Sequence, residues 1–225
     1  MIAETRGIRI RHRGHEPQIH PTAYVAPTAT LVGDVRVGAR ARVMYGAVLD
    51  AEGSRIEVGE TVICENAVLR GSAVAGDQPV LVDDHVFVGP HATLLGCEVG
   101  RCVYVATTAT VLQCAWLGAG AVVAVGALVH ARTVVPDEYF VPPHTVALDA
   151  PVRLLAPGDP GLAEAVGRPC LRPRPHLSTA PAQVPPLFRP GSNAVCSLLV
   201  WAAVRSPVSS PISCGASRCG CRARR

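Results

Sequence analysis

The sequence predicts an all-β protein, a single-stranded left-handed parallel β-helix of six to seven coils followed by a largely irregular tail. Three observations predict this fold. Large aliphatic residues recur every six positions between residues 19 and 135, small residues recur two positions before them, and only 4% of the chain is aromatic. A six-residue period does not fit an amphipathic helix, whose apolar face returns every three or four residues, but it fits a short strand followed by a corner.

The aliphatic ladder stays in phase over long stretches. Its rungs are Ile19, Val25, Leu31, Val37, Val43 and Leu49, then Val82, Val88 and Leu94, then Val99, Val105, Val111, Leu117, Val123, Val129 and Val135. Most rungs are followed four positions later by a small residue, such as Ala29, Ala92 and Ala109. Three such hexads make one triangular coil, and stacked coils bury a continuous aliphatic column. A β-sandwich of short strands would not keep one period over seven consecutive rungs.

Four irregularities interrupt the ladder. Residues 50–57, "DAEGSRIE", carry three extra residues, and residues 70–81, "RGSAVAGDQPVL", leave room for a protruding loop. One residue is missing between Val58 and Ile63, and another between Leu94 and Val99. Because insertions in solenoids project from one face and often serve binding, the two longer segments are the places to look for a ligand.

The chain divides into three segments by composition: a polar N-terminal arm over 1–16, the β-helix domain over 17–150 and a Pro/Arg/Cys-rich tail over 151–225. Residues 1–157 contain 12 arginines and 15 acidic residues, whereas 158–225 contain 9 arginines and 2 acidic residues. Apart from "GLAEAVG" at 161–167, where a short helix could start, the tail has neither strand nor helix periodicity. We expect it to be disordered, and a shifted reading frame is the alternative origin of its composition.

Composition also argues against several partners and compartments. The tail arginines lie among prolines rather than on one folded face, so we expect no binding to nucleic acid. The longest apolar run, residues 194–204, has eleven residues, and a spanning helix needs about twenty. The chain opens on a polar stretch without the features of a signal peptide, and no CxxC pair is present. These features predict a cytoplasmic protein with free thiols that does not bind a membrane.

Four segments together resemble the γ-class carbonic anhydrase-like branch of the hexapeptide-repeat proteins. They are "HPTAYVAPTATLVGDVRVG" (20–38), "YGAVLDAEG" (45–53), "CENAVLRGS" (64–72) and "VGPHATLLGCEVG" (88–100). The resemblance extends over about residues 17–155. It implies a homotrimer of left-handed β-helices with active sites between subunits, where three histidines hold a zinc-type ion.

The three metal-ligand positions that the resemblance implies fall on Arg70, Pro90 and Leu95. None of these side chains can ligate a metal, because proline and leucine offer no lone pair and a guanidinium has no acceptor. Without a metal, water keeps its bulk pKa of about 15.7 instead of about 7, so no hydroxide nucleophile is generated. We therefore expect no carbonic anhydrase activity, no bound metal and no cofactor.

Neighbouring positions also differ from the pattern that the resemblance implies. The family's Arg, Asp, Gln and Asp are replaced by Asp50, Glu52, Cys64 and Glu65. Counting through the irregularities places Asp50, Arg70 and Leu95 in one column, about 4.8 Å apart in successive coils. We hypothesise that the Arg70 cation pairs with Asp50 or Glu65 and replaces the lost metal charge. If the pair is partly buried, removing one partner would cost several kcal/mol.

His91 lies one residue after a carried-over ligand position. Neighbouring strand positions face opposite sides, and one imidazole cannot replace three ligands, so we interpret His91 as a surface or corner residue. An acyltransferase that uses acyl-CoA at the intersubunit cleft is the alternative function, with His85, His91 or His130 as general base. The absence of lysine for the CoA phosphates argues against it.

Two further groups of possible ligands remain. His12, His15 and His20 stand in the N-terminal arm, but "HRGH" lacks the i,i+4 spacing that would fix two imidazoles on a helix. The four cysteines of the repeat are predicted to pack as small buried residues, and they are Cys64, Cys97, Cys102 and Cys114. Catalytic and cofactor-binding residues therefore stay unassigned. The sequence predicts a non-catalytic trimeric scaffold or binding module with an unknown protein or small-molecule partner.

Overall fold

The computed structural model describes residues 6–72 and 76–166. Short strands, mostly parallel, form the three faces of a triangular solenoid, and turns connect them at the corners. We call these face A, face B and face C.

Each face contains seven stacked strands. Face A consists of β3 (Tyr24–Val32), β5 (Arg42–Val43), β8 (Val62–Ile63), β11 (Phe87–Val88), β14 (Tyr104–Val105), β17 (Val122–Val123) and β20 (Phe140–Val141). Face B consists of the second half of β3, then β6 (Val48–Asp50), β9 (Val68–Arg70), β12 (Thr93–Leu95), β15 (Thr110–Val111), β18 (Leu128–Val129) and β21 (Val146–Leu148). Face C consists of β2 (Gln18–Ile19), β4 (Val35–Val37), β7 (Ile56–Val58), β10 (Val80–Val82), β13 (Glu98–Val99), β16 (Trp116–Leu117) and β19 (Val134–Val135).

This architecture confirms the predicted left-handed parallel β-helix. The seven levels and the partial coils at the two ends give about eight turns, slightly more than predicted. The difference arises because β20 and β21 continue the stack beyond Val135, the last rung of the predicted ladder.

The rungs of the ladder form the core. Leu31, Leu49, Leu94 and Leu117 point inward and are fully buried. The small residues that follow the rungs are buried as well, for example Ala92 at 0% exposure. A larger side chain there would collide with the packed interior of the corner, so the alternation of large and small residues defines the triangular cross-section.

The corners have a common backbone conformation. The third residue after most rungs takes a left-handed φ, which is between 50° and 62° at Arg40, Glu52, Asn66, His85, His91, Cys102, Thr108, Cys114, Arg132, Glu138 and His144. An L-residue pays about 1–2 kcal/mol for this conformation. The stacked hydrogen bonds between successive coils, such as the one from the His91 N–H to the Glu65 carbonyl at 3.0 Å, hold the corners in place.

Glycine often follows a rung because the corner of the next coil lies close to it. At Gly118 an added Cβ would lie 2.4 Å from the backbone nitrogen of Asp137 and 2.6 Å from the carbonyl carbon of Pro136. Both neighbours are backbone atoms and cannot rotate away.

The two insertions lie side by side at the corner between faces B and C. The Ser54 hydroxyl donates a hydrogen bond to the Asp77 carboxylate, and Arg55 Nη1 lies 3.4 Å from Asp77 Oδ2. The backbones of Ser72 and Gln78 pair across the second insertion. The prediction that the insertions project from one side of the solenoid is therefore confirmed.

Additional strands extend both ends of the stack. In the N-terminal arm, β1 (Arg6–Ile10) pairs in parallel with β3. At the other end, β22 (Arg153–Leu155) turns back and pairs antiparallel with β21. Helix α1 (Leu162–Val166) follows and confirms the short helix expected at 161–167.

Within the tail that the sequence predicts to be disordered, 151–225, the described residues 151–166 contain β22 and α1, and residues 167–225 lie outside the described residues. The division of the chain into arm, β-helix and tail stays a proposal. In the part of the chain that the structure describes, no helix has the length and apolar character needed to cross a bilayer.

Candidate functional site

The column that the sequence predicts on face B is present. Asp50 pairs in register with Arg70, and Arg70 pairs in register with Leu95. Arg70 Nε lies 3.9 Å from Asp50 Oδ2, and Arg70 Nη2 lies 3.7 Å from Glu52 Oε2. The predicted ion pair with Asp50 is therefore confirmed.

The second partner of Arg70 is Glu52 and not Glu65. Glu65 lies before β9, at the corner between faces A and B, whereas Arg70 ends that strand. The strand thus separates the two side chains. Glu52 occupies the corner just after β6, where its left-handed φ of 50° turns the chain beside the Asp50 carboxylate. Asp50 Oδ1 accepts a hydrogen bond of 2.9 Å from the Glu52 N–H.

Arg70 and its partners form a surface cluster. The Arg70 side chain is 53% exposed, and the Asp50 and Glu52 side chains are 32% and 26% exposed. Separations of 3.7 and 3.9 Å are also too long for direct hydrogen bonds. Such pairs stabilise by about 0–1 kcal/mol. Removing one partner is therefore not expected to cost several kcal/mol, because the pair lacks the burial that such a cost requires.

The positions that the resemblance assigns to metal ligands do not fit a zinc-type ion. Arg70 brings a permanent positive charge, Leu95 brings a hydrocarbon, and Pro90 lies at the corner between faces A and B, where its carbonyl accepts the Thr108 N–H at 3.0 Å. Zinc takes imidazole, thiolate or carboxylate ligands. Among the residues that the structure describes, no three His, Cys, Asp or Glu side chains are grouped closely enough to hold a metal ion.

Two histidines of the repeat, His85 and His91, occupy corners. His91 is exposed with a φ of 56°, which confirms its interpretation as a surface or corner residue. His85 is partly buried with a φ of 61°, and its N–H donates to the Glu60 carbonyl at 2.7 Å. Each imidazole lies at its own corner, so the two histidines form no common site.

The histidines of the N-terminal arm make local contacts. The backbones of His12 and His15 exchange two hydrogen bonds of 2.9 Å, and His20 Nδ1 lies 2.9 Å from Thr22 Oγ1. His12 and His15 close a turn, and His20 begins a corner. They belong to no metal-binding group among residues 6–72 and 76–166.

The cysteines divide into two classes. Cys64 and Cys97 are buried at 7% and 1% exposure, and burial raises the pKa of each thiol to about 12. The prediction of small buried residues was wrong for Cys102, which is exposed, and for Cys114, which is half-buried. Both stand third after a rung, at left-handed corners with φ of 57° and 59°, and this position points outward.

A small pocket lies at the C-terminal end of face B. It has a volume of about 260 Å³ and is lined by His130, Ala131, Arg132, Leu148, Asp149, Ala150 and Arg153. His130 is thus the histidine among the three predicted candidates that lines a described pocket. Sequence reasoning missed the other polar members because they come from two successive coils and from the reversing strand β22.

Comparisons with known proteins agree with this fold. No family model matches the chain. Gamma carbonic anhydrase 1, mitochondrial, from Arabidopsis thaliana is 33% identical over 125 residues, which are 54% of this chain and 46% of that protein. Carnitine operon protein CaiE from Escherichia coli (strain K12) is 31% identical over 123 residues, 51% of this chain and 58% of that protein. The chain thus spans about half the length of the curated relatives it matches.

Among solved structures, a hexapeptide transferase family protein from Anaplasma phagocytophilum superposes with a TM-score of 0.56 at 26% identity. The match covers 67% of this chain and 84% of that chain. Repeat and fold define the class of protein, a hexapeptide-repeat left-handed β-helix, and the relatives show its similarity to γ-carbonic anhydrases. Within this class, Arg70, Pro90 and Leu95 distinguish the chain, since they occupy the positions where the resemblance implies ligating histidines.

Proposed function

We propose that this protein is a non-catalytic, trimeric scaffold or binding module of the cytoplasm, without a metal or a cofactor. The observation that carries the proposal is the position of Arg70. Its guanidinium lies with Asp50 and Glu52 where the resemblance implies a metal ion, and a fixed positive charge there opposes the binding of a cation. The two carboxylates are then partners of Arg70 and not of a metal.

The outer surface of face A supports the trimer. Its outward-pointing ladder is mostly apolar and consists of Tyr24, Arg42, Val62, Phe87, Tyr104, Val122 and Phe140. Within this ladder Val62 is buried at 5% exposure. The rings of Phe87 and Tyr104 stack with centroids 5.0 Å apart, and Phe140 is 50% exposed in the single chain. A contiguous apolar surface of this kind is typical of a protein interface. If each copy covers face A of the next copy with a different part of its surface, the repeated contact closes into a ring.

An acyltransferase is the second candidate, and the similarity to a hexapeptide transferase family protein favours it. It would require acyl-CoA and a histidine as general base. His91 is exposed at a corner, whereas His130 lines the small pocket on face B. His130 is therefore the residue on which this alternative depends most.

A ligand panel on the full-length protein separates the two candidates. Thermal unfolding is followed with zinc, acetyl-CoA, succinyl-CoA and buffer alone, and carbon dioxide hydration is measured on the same preparation. A ligand that binds only the folded state stabilises by about 2.7 kcal/mol at a hundredfold excess over Kd. The scaffold proposal predicts no shift with zinc, no release of CoA from either acyl-CoA and no hydration activity. Release of free CoA from either acyl-CoA, lost in the His130→Ala variant, would establish the alternative instead, whereas a thermal shift without release would show binding alone.

Sedimentation of the same preparation tests the trimer. One chain has a mass of 23.5 kDa, so three chains give 3 × 23.5 = 70.5 kDa. A monomeric mass at micromolar concentration would contradict the trimer and leave face A without its proposed cover.

A further inference from the structure

We propose that the small pocket at the C-terminal end of face B binds a small oxyanion, a phosphate or a carboxylate group. The inference does not rest on the proposed function, because the pocket lies apart from the Arg70 cluster. Counting along the outward column of face B, Leu112 and then His130 follow Leu95 in the next two coils. The two places are therefore separate regions of the same face.

The walls of the pocket are fixed by the solenoid backbone. The His130 N–H donates to the Ala147 carbonyl at 2.8 Å, and the Asp149 carbonyl accepts the Val134 N–H at 3.2 Å. Arg132 starts from a corner with a left-handed φ of 62°. The backbone at these positions is fixed before any ligand arrives, so the ordering on binding is confined to the side chains.

The polar side chains of the pocket favour an anion. Two arginines, Arg132 and Arg153, line the pocket together with one carboxylate, Asp149, so these three side chains carry a net charge of 2 − 1 = +1 without counting His130. Planar guanidinium groups carry five N–H donors and match the oxygens of phosphate and carboxylate in pairs. His130 adds a ring nitrogen that can donate a further hydrogen bond to an oxyanion.

Asp149 is the internal competitor of such a ligand. Arg153 Nη2 lies 3.3 Å from Asp149 Oδ2, in a pair whose side chains are 58% and 54% exposed. Exposed pairs of this type contribute little, so an incoming oxyanion can take over donors of Arg153 at small cost. The contact with Asp149 involves only Nη2 of Arg153. The planar guanidinium can therefore still present a pair of N–H donors to an oxyanion.

The size of the pocket limits the ligand. Sites for drug-sized molecules and cofactors measure about 300–1,000 Å³, and this pocket measures about 260 Å³. It therefore suits an oxyanion group with few further atoms better than an entire nucleotide or coenzyme. A free phosphate, a small carboxylic acid and the phosphate end of a larger molecule share this chemistry.

Calorimetric titration of the full-length protein tests the inference, with inorganic phosphate in one arm and succinate in another, at constant ionic strength set by chloride. We expect saturable binding of at least one of the two anions. The Arg132→Gln/Arg153→Gln double variant should bind at least about tenfold more weakly, because both charge-assisted hydrogen-bond donors are removed. Arg101→Gln is the matched control, since Arg101 is exposed and lies outside the pocket, and its binding should equal that of the wild type.

The Asp149→Asn variant provides the decisive test, because the direction in which anion affinity changes separates the possible outcomes. Asn tolerates the left-handed φ of 68° that Asp149 adopts, so the fold is kept while the competing charge is removed. Binding should tighten by about three- to tenfold, as expected for losing a nearby like charge in a partly screened setting. The inference is overturned if neither anion binds the wild type or Asp149→Asn, or if the double variant binds as well as the wild type.

Discussion

His91 illustrates how a single position in this repeat is determined by the backbone. It stands third after the rung Val88, where the chain turns with a φ of 56°, and its imidazole is exposed. Glu138 and His144, which are also exposed, occupy equivalent positions. Because these side chains leave the corner toward solvent, ionisable residues occur at these positions without forming a site.

Replacing His91 with glycine should leave the fold intact and raise its stability by up to about 1 kcal/mol, since glycine adopts a left-handed φ without the steric cost that histidine carries. The His91→Ala variant retains that cost and should match the wild type closely. Both are compared by urea unfolding of the full chain at one protein concentration. A loss of more than about 1 kcal/mol in His91→Gly would show that the imidazole makes a contact beyond its corner.

Cys97 is a residue whose environment makes stability depend on pH. Burial raises the pKa of its thiol from an ordinary value of 9.0 to about 12, so the unfolded chain releases this proton at lower pH than the folded chain does. The contribution to stability is fully present below pH 9 and is lost as the pH rises from about 9 to about 12.

In the Cys97→Ala variant, the free energy of unfolding should therefore fall less steeply between pH 9 and 11, by up to about 1.4 kcal/mol per pH unit. The matched control is Cys102→Ala, which removes an exposed thiol and should keep the slope of the wild type. Denaturant titrations at several pH values give these slopes. Identical slopes in Cys97→Ala and the wild type would mean that the thiol ionises equally well in the folded chain.

At the scale of the element, one strand of three residues serves two purposes. In β12 (Thr93–Leu95), Leu94 points into the core with 0% exposure, whereas Leu95 points outward and is partly exposed. The alternation of the strand assigns the first to packing and the second to the surface column of face B.

The Leu94→Ala variant should lose about 2–5 kcal/mol of unfolding free energy, because the stacked coils cannot collapse around the cavity. Leu95→Ala, the matched control one position away, should lose less than about 1 kcal/mol. Urea unfolding of both variants provides the comparison. Equal losses would contradict the inward and outward assignment and with it the register of the column.

The strands and their register could be predicted from the sequence because each rung of the six-residue repeat marks one strand. Once each rung is assigned, the column of Asp50, Arg70 and Leu95 follows by arithmetic, and the structure reproduces it. Corners could not be predicted in the same way. The order of the chain places Glu65 before β9, but whether Glu52 reaches Arg70 from its corner depends on the turn geometry there, which the six-residue period does not define.

The pocket on face B shows the same limit more strongly. Arg132 and Asp149 belong to successive coils, and Arg153 enters the pocket because β22 reverses direction. No six-residue pattern contains that reversal. Contacts that depend on how the repeat ends therefore cannot be predicted from the periodicity, which predicts only the middle of the repeat.

At the scale of the whole molecule, the solenoid is a rigid stack with a mostly apolar ladder on face A and a charged cluster on face B. The resemblance implies that metal sites form between subunits from two positions on one chain and one on its neighbour. Arg70 and Leu95 lie in one column of face B, and Pro90 lies at the corner between faces A and B. The backbone of the solenoid is thus retained while the ligand side chains are replaced.

Zinc stoichiometry of the wild type and of the Arg70→His/Pro90→His/Leu95→His variant tests this account most directly. Both full-length proteins are saturated with zinc, dialysed and analysed for metal content, with sedimentation in parallel. We predict no retained zinc in the wild type and about one zinc per chain in the triple variant, because three imidazoles would then meet between subunits. One zinc per chain in the wild type, or none in a trimeric triple variant, would contradict the account.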